Sequence, residues 1–327
     1  MRNTNPGLCL ALGFLIATAI ILSPGLSVEP AAAQVLNLAR AADNAADEGD
    51  FDKALQLYEQ AIVTGELTQH NLAAVHFNRG TLHMQMANPA DAVRDFTQTV
   101  LLRPDHNRAW TARGIALRIL GDAENAVADF TQALEVGGTE KSALYNLRGQ
   151  AYKDLLDFRA AIDDYDTALE LRPHWAFATR NRGRAKFYLG EFHEAAIDLD
   201  AAYDLAKDPY TSIWRFLSIA RLGRVDEALR KLERDNRRLR DDLWPAPLVR
   251  MYLGTETPDR VLETTFDPDD PQNSAEIASE AMFYIGQLFL LRGDEKEAEA
   301  FFDRVLSLGV TNFFEYDGAR AELARLR

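Results

Sequence analysis

Small and large apolar residues return along this chain at fixed distances. A glycine is followed twelve residues later by an alanine: Gly80/Ala92, Gly114/Ala126, Gly149/Ala161, Gly183/Ala195 and Gly286/Ala298. Four residues past each alanine stands a large apolar residue: Phe96, Phe130, Tyr165, Leu199 and Phe302. An earlier unit has Ala42, Ala54 and Tyr58. A later one has Phe216 in place of the glycine, then Ala228. The marker alanines fall at 54, 92, 126, 161, 195, 228 and 298, so the spacings are 38, 34, 35, 34, 33 and 70. The last spacing is twice 35, which predicts one degenerate unit in the gap.

Each unit predicts two antiparallel helices. The first carries the glycine. The second carries the alanine and the large residue at i, i+4, on one face. Turn signals separate them: Gly49, Gly121, Gly190, Gly223 and Gly293, four of them followed by an acidic residue. Glycine suits the residue past a helix C-terminus, and an acid suits the next N-terminus. Pro104 and Pro173 mark repeat ends. A mid-helix glycine costs about 1 kcal/mol relative to alanine. Five would cost about 5 kcal/mol, comparable to a small domain's whole stability. The compensation expected is close helix approach, with the large side chain of the neighbouring helix lying over each glycine.

These residues resemble the tetratricopeptide family. One unit fits with Trp110, Gly114, Ala126, Phe130 and Ala133. The next fits with Tyr145, Gly149, Tyr152, Ala161, Tyr165, Ala168 and Pro173. The resemblance implies an all-α fold, a right-handed superhelix of stacked helical hairpins (an α-solenoid). Residues 34–206 read as the regular array and 207–327 as a divergent helical region. The C-terminal order resembles the NlpI-type tetratricopeptide lipoproteins of the Gram-negative envelope. It runs through Trp244-Pro245, Val249–Gly254, Ser279–Gly286 and Asn312–Tyr316. That resemblance implies a dimeric envelope scaffold that presents cell-wall hydrolases to one another and to a processing protease. The chain departs from it in lacking a lipobox cysteine.

Composition narrows the function. Of 327 residues, 47% are hydrophobic and 26% charged, a globular balance. The net charge of −14 argues against nucleic acid as a partner, since phosphate binding needs a basic footprint. The one cysteine, Cys9, excludes disulfides and Cys-rich metal sites. It lies in residues 1–33, which read as a signal peptide: Arg2, an apolar run from Leu8 to Leu22, Pro24-Gly25, then Ala31-Ala32-Ala33 before Gln34. The expectation is a periplasmic or secreted chain without a stable membrane span after cleavage. The alternative is an uncleaved anchor in the inner membrane. Both removed charges cancel (Arg2 and Glu29), so the mature chain keeps −14.

No catalytic constellation stands out. HExxH, GxSxG, GxGxxG and P-loop patterns are missing. The chain reads as non-enzymatic, with no cofactor and no metal. His76 and His83 sit seven apart on one predicted helix at core positions, so they read as packing rather than as ligands. The acidic loop Phe266–Pro271 lacks the glycine and ligand order of a calcium loop.

Function is expected on the first helices, which line the concave groove in the family. The groove positions taken from it hold five basic residues and one acid across four repeats. The candidates are Arg108 and Arg118 in the third repeat, Asn146, Gln150 and Lys153 in the fourth, and Arg180, Arg184, Phe187 and Tyr188 in the fifth. Cations, amides and aromatics together suit an acidic or C-terminal peptide. Reversing Arg180 and Arg184 is expected to abolish partner capture while leaving helicity intact. The leading reading is an adaptor binding proteins or peptides. Its alternatives are a structural subunit of a membrane-anchored complex and a small-ligand binder. The alanine-rich stretch Ala39–Asp47 reads as a thin first helix suited to packing on a second copy, a homodimer.

Overall fold

The computed structural model describes residues 30–138, 140–237, 239–240, 244–267, 269–311 and 314–327, and the side chains of all of these but 30–32 and 271. The expected signal peptide lies outside them apart from Pro30–Ala33. Among the described residues the chain is helical throughout, with seventeen helices and no strand. The predicted hairpins are α1 (Pro30–Asp47) with α2 (Phe51–Val63), α3 (Gln69–Gln85) with α4 (Pro89–Leu102), and α5 (Asn107–Ile119) with α6 (Ala123–Val136). Then come α7 (Lys141–Asp154) with α8 (Phe158–Leu171), α9 (Ala176–Tyr188) with α10 (Phe192–Ala206), and α11 (Pro209–Arg221) with α12 (Val225–Asn236). The degenerate unit expected in the long gap is a shortened pair, α13 (Ala246–Tyr252) and α14 (Pro258–Glu263). The last regular hairpin is α15 (Pro271–Leu291) with α16 (Glu295–Leu308). A final helix, α17 (Phe314–Leu326), follows.

Local chemistry sets the boundaries. The side chains of Asp50, Thr68, Asn88, Asp122, Asp157 and Asp294 each accept a backbone N–H three residues on, capping the helices that follow. Gly121 turns between α5 and α6 at φ 81°, a left-handed conformation that suits glycine. At the corresponding turns of the second and fourth repeats Ala87 and Leu156 take it instead, at φ 56° and 61°.

The mid-helix glycines meet the expected partners. A Cβ built on Gly80, Gly114 or Gly149 would lie 2.8 Å from the ring of Phe96, Phe130 or Tyr165. On Gly286 it would lie 2.6 Å from Phe302, and on Gly183 2.9 Å from Leu199. All five large residues are fully buried.

The chain forms two compact units, one up to Leu144 and one from Tyr145. In the first, Ala39, Ala42 and Ala45 of α1 are buried with Ala54 and Tyr58 of α2. Asp43 accepts hydrogen bonds from Tyr58 Oη at 2.6 Å and Asn78 Nδ2 at 3.0 Å. The alanine face of the first helix is therefore covered within the chain, and it no longer argues for a second copy. In the second unit the core gathers around Trp214, with Phe187, Tyr188, Phe283 and Tyr284 packed against it.

Candidate functional site: the first-helix faces

The four central repeats each carry an ion pair that links their two helices. Arg79, Arg113, Arg148 and Arg182 stand one residue before the marker glycines. Each grips, with two nitrogens, an aspartate sixteen residues on: Asp95, Asp129, Asp164 and Asp198. The contacts run from 2.6 to 2.8 Å. A third nitrogen of Arg79, Arg113 and Arg182 reaches back to the preceding repeat, to Glu59, Thr97 and Asp166. One guanidinium thus joins two hairpins, using the planar fork that lysine lacks.

In the second repeat the same aspartate also accepts from His76 Nδ1 at 2.8 Å, while His83 Nε2 stands 3.9 Å away. Burial would raise the Asp95 carboxyl, but His76 and Arg79 outweigh it and hold it below the usual range. Both histidines thus belong to the ion-pair layer, as core groups.

On the first-helix face of unit 1, the Arg108 guanidinium lies 5.4 Å from the ring centroid of Phe77, which also packs on His106 at 4.9 Å. Arg108 and Arg118 are half-buried. Thr81, Thr111 and Ile119 are likewise half-buried, and Gln85 is exposed. The sequence-predicted cations of this face, Arg108 and Arg118, are thus neither enclosed like those of unit 2 nor fully exposed.

The face of unit 2 is different, because a segment of the same chain lies on it. Helix α17 crosses the first helices of this unit. Lys153 of α7 donates to Asp317 at 2.5 Å and places its ammonium 4.5 Å from the Phe314 ring centroid. Arg184 of α9 is sandwiched between Phe314 at 4.6 Å and Trp214 at 5.1 Å. Tyr188 Oη donates to the Phe314 carbonyl at 3.0 Å. Tyr284 of α15 donates to Glu315 at 3.3 Å, and Gln287 to Glu322 at 2.9 Å. Arg221 of α11 lies 3.3 Å from Glu322. The return contacts are cationic: Arg325 donates to the Tyr188 carbonyl at 2.6 Å, and Arg320 to the Asp154 carbonyl at 3.4 Å. Cations at helix C-termini are electrostatically favoured.

Small residues let α17 in. Gly318, Ala319 and Ala321 are buried. A Cβ on Gly318 would meet Phe283 at 2.6 Å and Tyr188 Oη at 2.8 Å.

Several predicted site residues are consequently inaccessible. Asn146, Gln150, Lys153, Arg184, Phe187 and Tyr188 are all buried. Arg180 is half-buried, pairs with Asp208 at 2.9 Å and lies over Phe177. Reversing Arg180 and Arg184 would place carboxylates against Asp208, Glu315 and Trp214. That pair of substitutions disrupts unit 2, correcting the expectation of an intact fold.

Beneath α17 lies a carboxylate cluster that the sequence reading did not single out. Glu280 accepts from Trp244 Nε1 at 2.7 Å and Tyr210 Oη at 3.4 Å. Burial, reinforced by the charge of Glu315, pushes Glu280 up to about 8 against those two donors. Burial raises Glu315 as well, with Arg184 opposing, and raises Asp317, with Lys153 opposing.

The acidic loop beginning at Phe266 does ordinary structural work. Asp270 caps α15, accepting from the Asn273 N–H, and the Asp267 N–H donates to Ser274 Oγ. No group of three or more metal-ligating side chains occurs among the described residues, and no described helix is long and apolar enough to cross a membrane.

Stacked helical hairpins with glycines packed under large side chains of the neighbouring helix define a helical-repeat fold of the kind that serves as a polypeptide-binding scaffold. Family comparison gives the particular repeat. A model described as tetratricopeptide repeat matches residues 77–141, and a second of the same description matches 142–174. Residues 77–174 therefore match tetratricopeptide repeats. Among solved structures, a tetratricopeptide repeat protein from Parabacteroides merdae aligns over 90% of this chain and 99% of its own, with TM-score 0.58 and 16% identity. PilW, a widely conserved type IV pilus biogenesis factor, aligns over 63% of this chain and 93% of its own, with TM-score 0.52 and 15% identity. At these identities the likeness is one of fold.

Proposed function

We propose that this chain is a non-catalytic, exported adaptor that gathers cell-envelope proteins on the first-helix faces of its repeats. Cell-wall hydrolases and a processing protease are the partners that the NlpI-type resemblance suggests. The periplasm is the compartment suggested by the N-terminal sequence, with residues 1–33 removed. Repeat arrays offer extended surfaces suited to polypeptides. The observation that carries the reading is that a first-helix face of this chain already holds a helical polypeptide segment through cations and aromatics. The accessible counterpart is the unit 1 face, where Arg108 and Arg118 select acidic segments.

The test is capture from the native periplasm, with crosslinking and mass spectrometry, by the tagged chain and by Arg108→Glu/Arg118→Glu. Wall hydrolases or a processing protease should be captured by the wild type and lost in the variant, with the circular dichroism spectrum unchanged. Equal capture by both forms would refute the assignment to this face. Capture of neither partner class would refute the adaptor reading.

A further inference from the structure

Helix α17 is a ligand-like element built into the chain. It follows the last regular hairpin and lies across the first helices of unit 2, where a bound polypeptide would lie. Its apolar side, Ala319, Ala321 and Leu323, joins the core of unit 2, and its polar side makes specific charged and hydrogen-bonded contacts. Three carboxylates meet polar or cationic partners: Asp317 on Lys153, Glu315 on Tyr284, and Glu322 on Arg221 and Gln287. One aromatic, Phe314, is clamped between the cations of Lys153 and Arg184. One glycine, Gly318, allows the helix to approach Phe283 and Tyr188.

The receiving face is charge-complementary and imperfectly satisfied. Arg184 is 6% exposed, yet its Nε has no hydrogen-bond partner, and neither has the Oδ1 of the equally buried Asn181. The buried carboxylates make the closed state costly to hold, since burial works against the charge of Glu315 and Asp317.

We infer that the first-helix face of unit 2 is a helix-receiving site, held shut by α17, and that its external partner is an acidic helix carrying the α17 pattern. That pattern is an aromatic followed by acids one, three and eight positions on, with glycine at the fourth (Phe314, Glu315, Asp317, Gly318, Glu322). The partner helix competes with α17 for one face, so binding frees the C-terminal segment. The inference rests on the adaptor reading only in that such a partner exists. The site itself is testable with a peptide of this chain, whatever the unit 1 face captures.

The experiment uses the full chain with a protease site introduced at Gly309–Thr311, between α16 and α17, so that α17 is cut free in the folded protein. A fluorescent peptide of residues 310–327 is added in excess and followed by anisotropy. Uncut protein should bind it at least tenfold more weakly than cut protein, because the tethered helix competes at high local concentration. The cut protein should bind an otherwise redesigned helix that keeps only the five pattern residues within tenfold of the native peptide. It should reject an Asp317→Lys peptide, and a Lys153→Asp protein should regain that peptide. A Gly318→Leu chain, whose own helix no longer fits, should bind the native peptide without cleavage. Equal binding of the native and Asp317→Lys peptides, equal binding by cut and uncut protein, or entry of no peptide after cleavage would overturn the inference. Rejection of the redesigned helix would overturn the partner pattern.

Discussion

At the scale of single residues, the repeat is held by two contacts that recur with it. The first is the glycine beneath a ring. Gly114→Ala gains about 1 kcal/mol of helix propensity. It also drives a methyl group into Phe130, which is fully buried and has nowhere to go. Overpacking of this kind costs about 1–3 kcal/mol. The expected net is a loss of about 1 kcal/mol, read by urea denaturation, and Gly114→Ala/Phe130→Leu should recover most of it. The second contact is the forked arginine. Arg113→Ala leaves the Asp129 carboxylate buried without its partner and should cost about 1–3 kcal/mol. Arg113→Lys, keeping the charge and losing the fork, should recover only part of that in the same denaturation experiment.

The glycine contact was legible in the sequence, because a helix-breaking residue repeated at a fixed period demands a packing reason. The arginine contact was equally periodic but unread. Arginines at 79, 113, 148 and 182 and aspartates at 95, 129, 164 and 198 keep the same register as the glycines. Polar residues at half-buried positions look like a solvated helix face until the partner sixteen residues away is placed beside them.

At the scale of elements, regular hairpins follow from the pattern, and the exceptions follow from its interruption. The gap of 70 residues between Ala228 and Ala298 does contain a degenerate unit, seven and six residues long in its two helices. What the pattern did not disclose is where α17 goes. Its sequence has the charged and small residues of a surface helix. Its burial depends on contacts 31 to 166 residues away in sequence, from Tyr284 with Glu315 to Asp154 with Arg320. Periodicity carries no information at that range. Two signals were present: a mid-helix glycine, Gly318, outside the repeat register, and acids matching the surplus of cations on the first helices.

The carboxylates under α17 give this element a pH dependence. Glu280 titrates in the folded chain at about 8, raised from its unfolded value. Its protonated form is therefore favoured by folding. The stability it contributes is full below the ordinary carboxylate range and is lost as pH rises toward about 8. The melting temperature of unit 2 should fall across that interval. Glu280→Gln, which keeps an acceptor for Trp244 without a charge, should flatten the fall. A wild-type melting temperature that stays level or rises from pH about 5 to about 8 would contradict this assignment.

At the scale of the whole molecule, two compact units share one repeat chemistry and differ in what lies on their first helices. Unit 1 presents Arg108 and Arg118 beside Phe77. Unit 2 presents α17. A chain of net charge −14 nonetheless gathers cations onto these helices. The sequence reading placed its candidates on the first helices, and six of them, Asn146, Gln150, Lys153, Arg184, Phe187 and Tyr188, prove to be buried. Of the first-helix positions that read as an open groove in the fourth and fifth repeats, Lys153, Arg184 and Tyr188 are taken by α17. The family pattern places side chains on a helix face, and only the three-dimensional chain shows what else has claimed the face.

The most direct test of this account is hydrogen exchange of the intact protein, followed by mass spectrometry of α17. Docked on α7, α9 and α15, the amides of residues 318–326 should exchange as slowly as those of residues 281–288 in α15. A Gly318→Leu variant, whose α17 no longer fits beneath Phe283 and Tyr188, should release α17 and speed its exchange at least tenfold, with residues 281–288 still slow. Rapid exchange of α17 in the wild type, or slow exchange that ignores the substitution, would contradict it.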